Sequence, residues 1–250
     1  MIDQVLVICC TIFAVAGFVQ GLTGFGFGIV AMAVLPLLLR DFETAFAITA
    51  INSLIIPGLT FISVRNGLKI GDAIPLTAAA IVGAVFGFFF THFFVGSPVF
   101  IQIFGGTLVV FSIVDLILTK ALNKQMPSWM GWPCGLAGGF FGGAFNVGGP
   151  PMVAFCYSQP WSKQQIVATL QVAFACATSL RVGLMAMNGY FDQRIIILTL
   201  ATIIPVAIGI WLGGLLLARI PLPWLRIGVF AIVIILGLQY FIIPEVVFKR

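Results

Sequence analysis

Charge is what this chain lacks most. Of its 250 residues only 8% are Asp, Glu, Lys or Arg, and there is a single histidine, His92. An ordinary soluble domain carries roughly 25% charged residues, so a water-solvated fold is excluded. With 61% hydrophobic residues and a mean hydropathy of +1.20, the solvent is lipid. The cysteines Cys9, Cys10, Cys134, Cys156 and Cys176 all sit in apolar runs without metal-ligand spacing, and read as reduced packing residues. No P-loop, nucleophile elbow, catalytic dyad or metal-ligand cluster is present, so neither an enzyme, a cofactor nor a metal is expected. No basic cluster with interleaved aromatics points to nucleic acid. No positive region precedes the first apolar run, so residues 5–19 read as a retained span rather than a cleaved signal peptide.

What the chain does have is glycine, arranged twice. The stretch from Gly17 to Gly28 and the stretch from Gly139 to Pro150 match at an offset of 122 residues, Gly17 onto Gly139, Phe18 onto Phe140, Gly21 onto Gly143 and Gly26 onto Gly148. The same offset carries Asn66-Gly67 onto Asn188-Gly189 and Gly87 onto Gly209. Internal repeats with glycine-interrupted hydrophobic segments are how many secondary transporters build a central site. The expected fold is therefore an all-α polytopic membrane protein of two homologous halves, residues 1–120 and 129–250, joined by a polar linker at 121–128.

Hydropathy marks apolar runs at 4–24, 25–39, 44–64, 73–95 and 98–118, then at 129–147, 150–160, 165–187, 195–218 and 223–243. A helix needs about 20 residues to cross the hydrocarbon core. The runs at 25–39 and 150–160 are too short and directly follow the glycine motifs, so they are expected to be broken or re-entrant helices beside about eight full spans. The basic residues outside the spans divide seven to four whether the halves are parallel or inverted. Inversion is favoured because Arg65 and Lys69 face a lone Arg194 in the mate loop, and because the nearly uncharged 92–98 turn faces Arg219 and Arg226. Either way Arg65, Lys69, Lys120 and Lys124 are expected on the cytoplasmic side.

The breaks are the first candidate site. Glycine permits positive φ and close backbone approach, which lets a helix stop inside the membrane with its amides exposed. Asn146, Gly148, Gly149 and Pro150 resemble a helix start, with asparagine as cap and proline in the first turn. A half-helix beginning at Pro150 would aim N–H groups and a positive dipole end at a cavity, an anion site without a charged side chain. Gly24, Gly26 and Gly28 are the counterparts in the first copy, with Gln20 and Thr23 beside them. The competing reading for the Gly17/Gly21, Gly83/Gly87, Gly135/Gly139/Gly143 and Gly209/Gly213 sets is helix packing at small-xxx-small spacing.

Arg181 is the one basic residue well inside a run, where a charge costs roughly 2.5–3.5 kcal/mol. It contacts substrate or gates, or it snorkels toward the Asn188 turn. Thr49, Asn52 and Ser53 share one helix face, and Gln171, Ala175 and Thr178 share the matching face of the other half. They line a cavity or bond between helices. His92, near a span end, reads as interfacial ahead of proton relay, and Asp115 as an ion-pair partner for Lys120.

At these residues the chain resembles the sulfite exporter TauE/SafE family of bacterial membrane transporters. The likeness rests on Gly17 to Gly28 with the following Pro36, on Gly135 to Pro151 ending in Gly-Pro-Pro, and on the basic turn Arg65-Asn66-Gly67. The family's first stretch often ends in a tighter triple glycine, where this chain interleaves Phe25 and Phe27. The resemblance implies movement of a small anion across the bacterial inner membrane: sulfite, an organosulfonate such as sulfoacetate, or a related carboxylate. The expected partners are that anion and the lipid bilayer, with a homodimer left open. An anion channel built on the same broken helices is the alternative.

Overall fold

A computed structural model describes residues 2–68, 70–121, 125–216 and 222–247. Lys69, Lys124 and Arg219 lie outside them, as do the side chains of Asp115, Lys120 and Arg226. The described residues form ten α-helices and no strand: α1 Ile2–Thr23, α2 Phe27–Leu39, α3 Phe42–Val64, α4 Ile70–Phe94, α5 Pro98–Ala121, α6 Gly131–Phe145, α7 Gly149–Ser158, α8 Lys163–Met187, α9 Gln193–Leu216 and α10 Leu222–Ile242. Each apolar run of the sequence has become one helix. Among the described residues, five helical stretches are long and apolar enough to cross a bilayer, Gln4–Thr23, Phe42–Thr60, Ile70–Phe94, Lys163–Met187 and Gln193–Leu216. The short α2 and α7 reach only about 20 and 15 Å at roughly 1.5 Å per residue, against a core of about 30 Å.

Both breaks use the left-handed backbone region. After α1 the chain turns through Gly24 at φ +83° and Gly26 at φ +100° before α2 begins. After α6 it turns through Asn146 at φ +60°, one of the few non-glycine residues that tolerate this conformation. Asn146 therefore ends α6 rather than starting α7, which corrects its expected role as an N-terminal cap. Its N–H bonds the Gly142 carbonyl at 3.0 Å, as a left-handed residue closing a helix does. Gly148 precedes α7 without a side-chain cap, and α7 begins at Gly149 rather than Pro150.

The glycine repeats explain how the halves interlock. A Cβ at Gly21 would run into the Ile210 carbonyl, and one at Gly213 into the Phe18 carbonyl, so α1 lies backbone to backbone on α9. In the same way Gly83 and Gly87 meet α6, while Gly135, Gly139 and Gly143 meet α4. All four small-xxx-small sets are thus packing surfaces, where van der Waals contact drives association in lipid. The partners of Gly135, Gly139 and Gly143 ascend as Leu76, Ala80 and Ala84, so α4 and α6 run parallel. The α1 and α9 pair does the same, with Ala14 against Gly209 and Phe18 against Gly213.

Two other pairs run antiparallel. In α3 and α8, Phe46 lies by Arg181 at one end and Gly67, just past α3, packs on Gln164 and Gln165 at the other. In α5 and α10, Gln102 donates to the Phe241 carbonyl, while Val109 lies beside Gly237. The inner faces of these helices enclose the two breaks.

Candidate functional site

The two breaks meet. A Cβ at Gly28, in the first turn of α2, would collide with the Asn146 carbonyl, and one at Gly149, at the start of α7, would come into ordinary contact with the Phe25 ring. Around this crossing lies a cavity of about 90 Å³, walled by residues from both breaks and from α3, α4, α6 and α8. At roughly 10–15 Å³ of such space per water, it has room for a few waters or one small oxyanion.

Of the twelve residues expected at the site, eight line this cavity: Gln20, Gly26, Gly28, Asn146, Gly148, Gly149, Gln171 and Arg181. Ser53 and Thr178 line it as well. Thr23, Gly24, Asn52 and Pro150 are not in the wall. Thr23 donates to the Val19 carbonyl at 2.8 Å and braces the turn at Phe25. Asn52 points away, donating to the Ile48 carbonyl at 3.0 Å and to Thr202 Oγ1 on α9 at 2.9 Å. Asn52 is thus the interhelical bond of the two readings, while its neighbour Ser53 faces the cavity.

Gln20 holds the first break together. Its Nε2 donates to the Gly24 carbonyl at 2.9 Å, and its Oε1 accepts from the Phe27 N–H at 3.1 Å. One side chain thereby satisfies a carbonyl at the end of α1 and an N–H at the start of α2, groups that helix termini leave unpaired. The α2 amide of Val30 returns to the Gly26 carbonyl at 3.0 Å, and the first-turn residues Gly28 and Ile29 line the cavity. At α7, Pro150 and Pro151 have no N–H to offer, which leaves Gly149 as the amide closest to the second break.

Among the described residues, Arg181 is the only charged one in the cavity wall. It is 3% exposed and does not snorkel. Its Nη1 donates to the Gly142 carbonyl in the last turn of α6, and its guanidinium carbon sits 5.5 Å from the centre of the Phe46 ring. Asn146 joins the same knot by donating from Nδ2 to the Phe46 carbonyl at 3.1 Å. A charge-assisted hydrogen bond is worth about 1.5–3 kcal/mol, and a desolvated cation–π contact about 2. Together they offset the roughly 2.5–3.5 kcal/mol insertion cost of an arginine at this depth. The negative end of the α6 dipole adds to this.

The apolar part of the wall was not foreseen. Phe25, Phe27, Ile56, Pro57, Met152 and Phe174 give the cavity greasy sides. The signal for Gly142 was present: an arginine with no acid in a matching run, and a helix ending four residues on with carbonyls to spare. His92 is exposed and lies outside this cavity, 3.3 Å from the Tyr190 hydroxyl in a second, polar hollow of about 450 Å³ with Asp41, Glu43 and Asp192. Burial, then the Glu43 charge, raise the Tyr190 phenol above its ordinary range. Asp41 and Asp192 there cap α3 and α9 through the Thr44 and Ile195 amides.

The model of the family described as sulfite exporter TauE/SafE matches residues 9–240, nearly the whole chain. The chain belongs to the TauE/SafE family. It is accordingly a multi-pass bacterial membrane protein of an exporter family, not an enzyme. A relative from Cupriavidus necator, named as a probable sulfite/organosulfonate exporter TauE, is 25% identical over 210 residues, covering 82% of this chain and 80% of the relative. No solved structure matches the chain. The TauE/SafE match takes in both glycine-rich breaks.

Proposed function

We propose that this protein is a secondary transporter that carries a small anion through the cavity at the crossing of its two breaks. The substrate class is sulfite, an organosulfonate such as sulfoacetate, or a related carboxylate, in keeping with the name of the Cupriavidus necator relative. The observation that carries the reading is a small cavity whose only charged wall residue, among the described residues, is the buried Arg181, flanked by the first turns of α2 and α7. A positive side chain and helix N-termini within a low-dielectric wall favour an anion.

The two halves, residues 1–120 and 129–250 with the linker at 121–128, act as inverted repeats contributing about eight spans. Inversion is supported by α3 against α8 and α5 against α10, each paired antiparallel with its own repeat mate. An axis along the membrane normal would make such mates parallel. It is supported again at Gly67, which packs on Gln164 and so brings the Arg65 turn to the Lys163 end of the molecule. Alternating access then consists of one repeat moving against the other around the fixed crossing.

The test is counterflow in proteoliposomes. Vesicles preloaded with unlabelled sulfite are expected to accumulate labelled sulfite transiently, with saturable kinetics. Flux that neither saturates nor exchanges would indicate a pore and overturn the carrier.

A further inference from the structure

The antiparallel mates α3 and α8 meet at one end and part at the other, although the repeat calls for the same contact at both. At the Arg65 end the backbone of Gly67 lies on that of α8, where an added Cβ would come within 2.7 Å of the Gln164 carbonyl carbon and 2.9 Å of the Gln165 nitrogen. Gln165 is buried there, and its Nε2 donates to Asp72 Oδ2 on α4 at 2.8 Å. At the offset of 122 residues, the mates of Gly67, Gln164 and Gln165 are Gly189, Phe42 and Glu43. Their contact is not made. A Cβ at Gly189 would meet nothing within 4 Å among the described residues, Glu43 is exposed, and both border the polar hollow of about 450 Å³. The central cavity lies between these two ends. From the hollow inward, α3 presents Glu43, then Phe46 against Arg181, then Ser53 on the cavity wall. The other helix follows the same order, with Asn188 on the hollow, then Arg181, then Thr178 on the wall.

Packed helices settle in discrete arrangements instead of deforming smoothly. Mates that pack in two ways therefore display two arrangements of one contact, and exchanging them between the halves turns one access state into the other. With Arg65 on the cytoplasmic side, the shut end is the inner one. Resting on the inverted-repeat carrier just proposed, we infer that this is its outward-open state and that the turns at Gly67 and Gly189 are alternating seals. Gly67 on Gln164 shuts the inner end. When it lifts away, Gly189 closes on Phe42 and Glu43, and the hollow collapses. Glycine serves at both turns because the seal is backbone laid on backbone, with no room for a side chain between. In the open state Gly189 is held to glycine only by its φ of +74°, a conformation that asparagine also adopts.

The test is Gly189→Asn, which the open turn can accommodate and the closed one cannot. The variant is expected to keep wild-type thermal stability and sulfite affinity. Its sulfite counterflow should fall at least about tenfold, because a carrier that cannot seal one side cannot complete its cycle. A second measurement reports the closure itself, and decides alone if the asparagine variant is not monodisperse. In a background with the five native cysteines replaced, Glu43→Cys and Asn188→Cys are introduced together and oxidised in proteoliposomes with sulfite. The pair should join in the otherwise unaltered protein and stay apart when Gly189→Asn is added. Wild-type counterflow in Gly189→Asn, or a cysteine pair that never joins, would overturn the seals while leaving the carrier and its anion site intact. Absence of counterflow in the unaltered protein would overturn the carrier, and the seals with it.

Discussion

Arg181 on α8 donates its Nη1 hydrogen to the backbone carbonyl of Gly142 on α6, four residues before the chain breaks at Asn146. A residue with the look of a substrate ligand is thus also a clasp on the protein's own broken helix. The two roles predict different things. As a clasp, its removal leaves the Gly142 carbonyl with the Asn146 amide alone and strips the charge from the end of α6. As a ligand, its removal weakens substrate affinity in a protein that still folds.

Both roles are expected to appear in a Lys and Gln pair of variants. Arg181→Lys keeps the charge but not the planar fork that donates and stacks at once, so substrate affinity should fall about tenfold with modest loss of thermal stability. Arg181→Gln should lose most binding and cost about 1.5–3 kcal/mol of stability. Melting curves with and without sulfite separate the effects. Wild-type substrate affinity in the Gln variant would leave Arg181 with the structural role alone.

The glycines divide by what surrounds them. A Cβ at Gly139 or Gly148 would meet the Ala80 or Gly138 carbonyl, with no flexible side chain to yield. Gly139→Val and Gly148→Leu should therefore fail to give a monodisperse protein. Gly26 has ordinary space, since an added Cβ would come no closer than 3.7 Å, to Val19 Cγ1, and only its φ of +100° resists substitution. Gly26→Ala should cost about 1–2 kcal/mol and remain foldable, with transport reduced by the altered break. Size-exclusion profiles of the three variants check the ordering, which would be wrong if Gly26→Ala were the least stable.

This division shows what the sequence could and could not reveal. Period and length gave the ten helices, and the doubled glycines gave both breaks, because backbone conformation is a local property that residue type controls. Which glycine packs and which bends depends on the helix it meets, and that is settled between the halves. The same is true of Asn52 and Ser53. Adjacent on α3, they are a hundred degrees apart, and only the position of α9 sends one to Thr202 and the other to the cavity. Arg181 was visible as an anomaly, but a backbone carbonyl leaves no side-chain signature by which to name its partner.

The Asn52–Thr202 bond should be structural and weak. Interhelical hydrogen bonds in membrane proteins average about 0.6 kcal/mol by double-mutant cycle, since the unfolded helix finds other partners in the bilayer. Asn52→Ala and Thr202→Val are each expected to lower stability with substrate affinity unchanged, and their coupling should stay below about 2 kcal/mol. A large loss of affinity in Asn52→Ala would return this residue to the binding site.

Gln20 should matter more than Asn52, because it spans a break instead of joining two continuous helices. Gln20→Met keeps the length and removes both bonds, freeing the carbonyl of the exposed Gly24 and the buried amide of Phe27. The expected penalty is about 1–3 kcal/mol, the cost of the one buried group left unpaired. Denaturation in detergent micelles measures this, and a loss under about 1 kcal/mol would show that the break is held by its packing alone.

Topology offers the sharpest test of how the halves are arranged. In the inverted arrangement the Asn66 turn and the Ser162 turn share one side of the membrane, as the packing of Gly67 on Gln164 suggests. The Ser97 and Asn188 turns share the other, as the contact of His92 with Tyr190 suggests. Single cysteines at these four positions, in a background with the five native cysteines replaced, can be labelled in intact cells with a membrane-impermeant maleimide. Asn188→Cys and Ser97→Cys should react from outside, whereas Asn66→Cys and Ser162→Cys should be protected until the cells are opened. Parallel repeats would put Asn66 and Asn188, which are offset mates, on the same side. Matching labelling of that pair would therefore reject inversion outright, and with it a two-fold axis in the membrane plane through the crossing of the breaks.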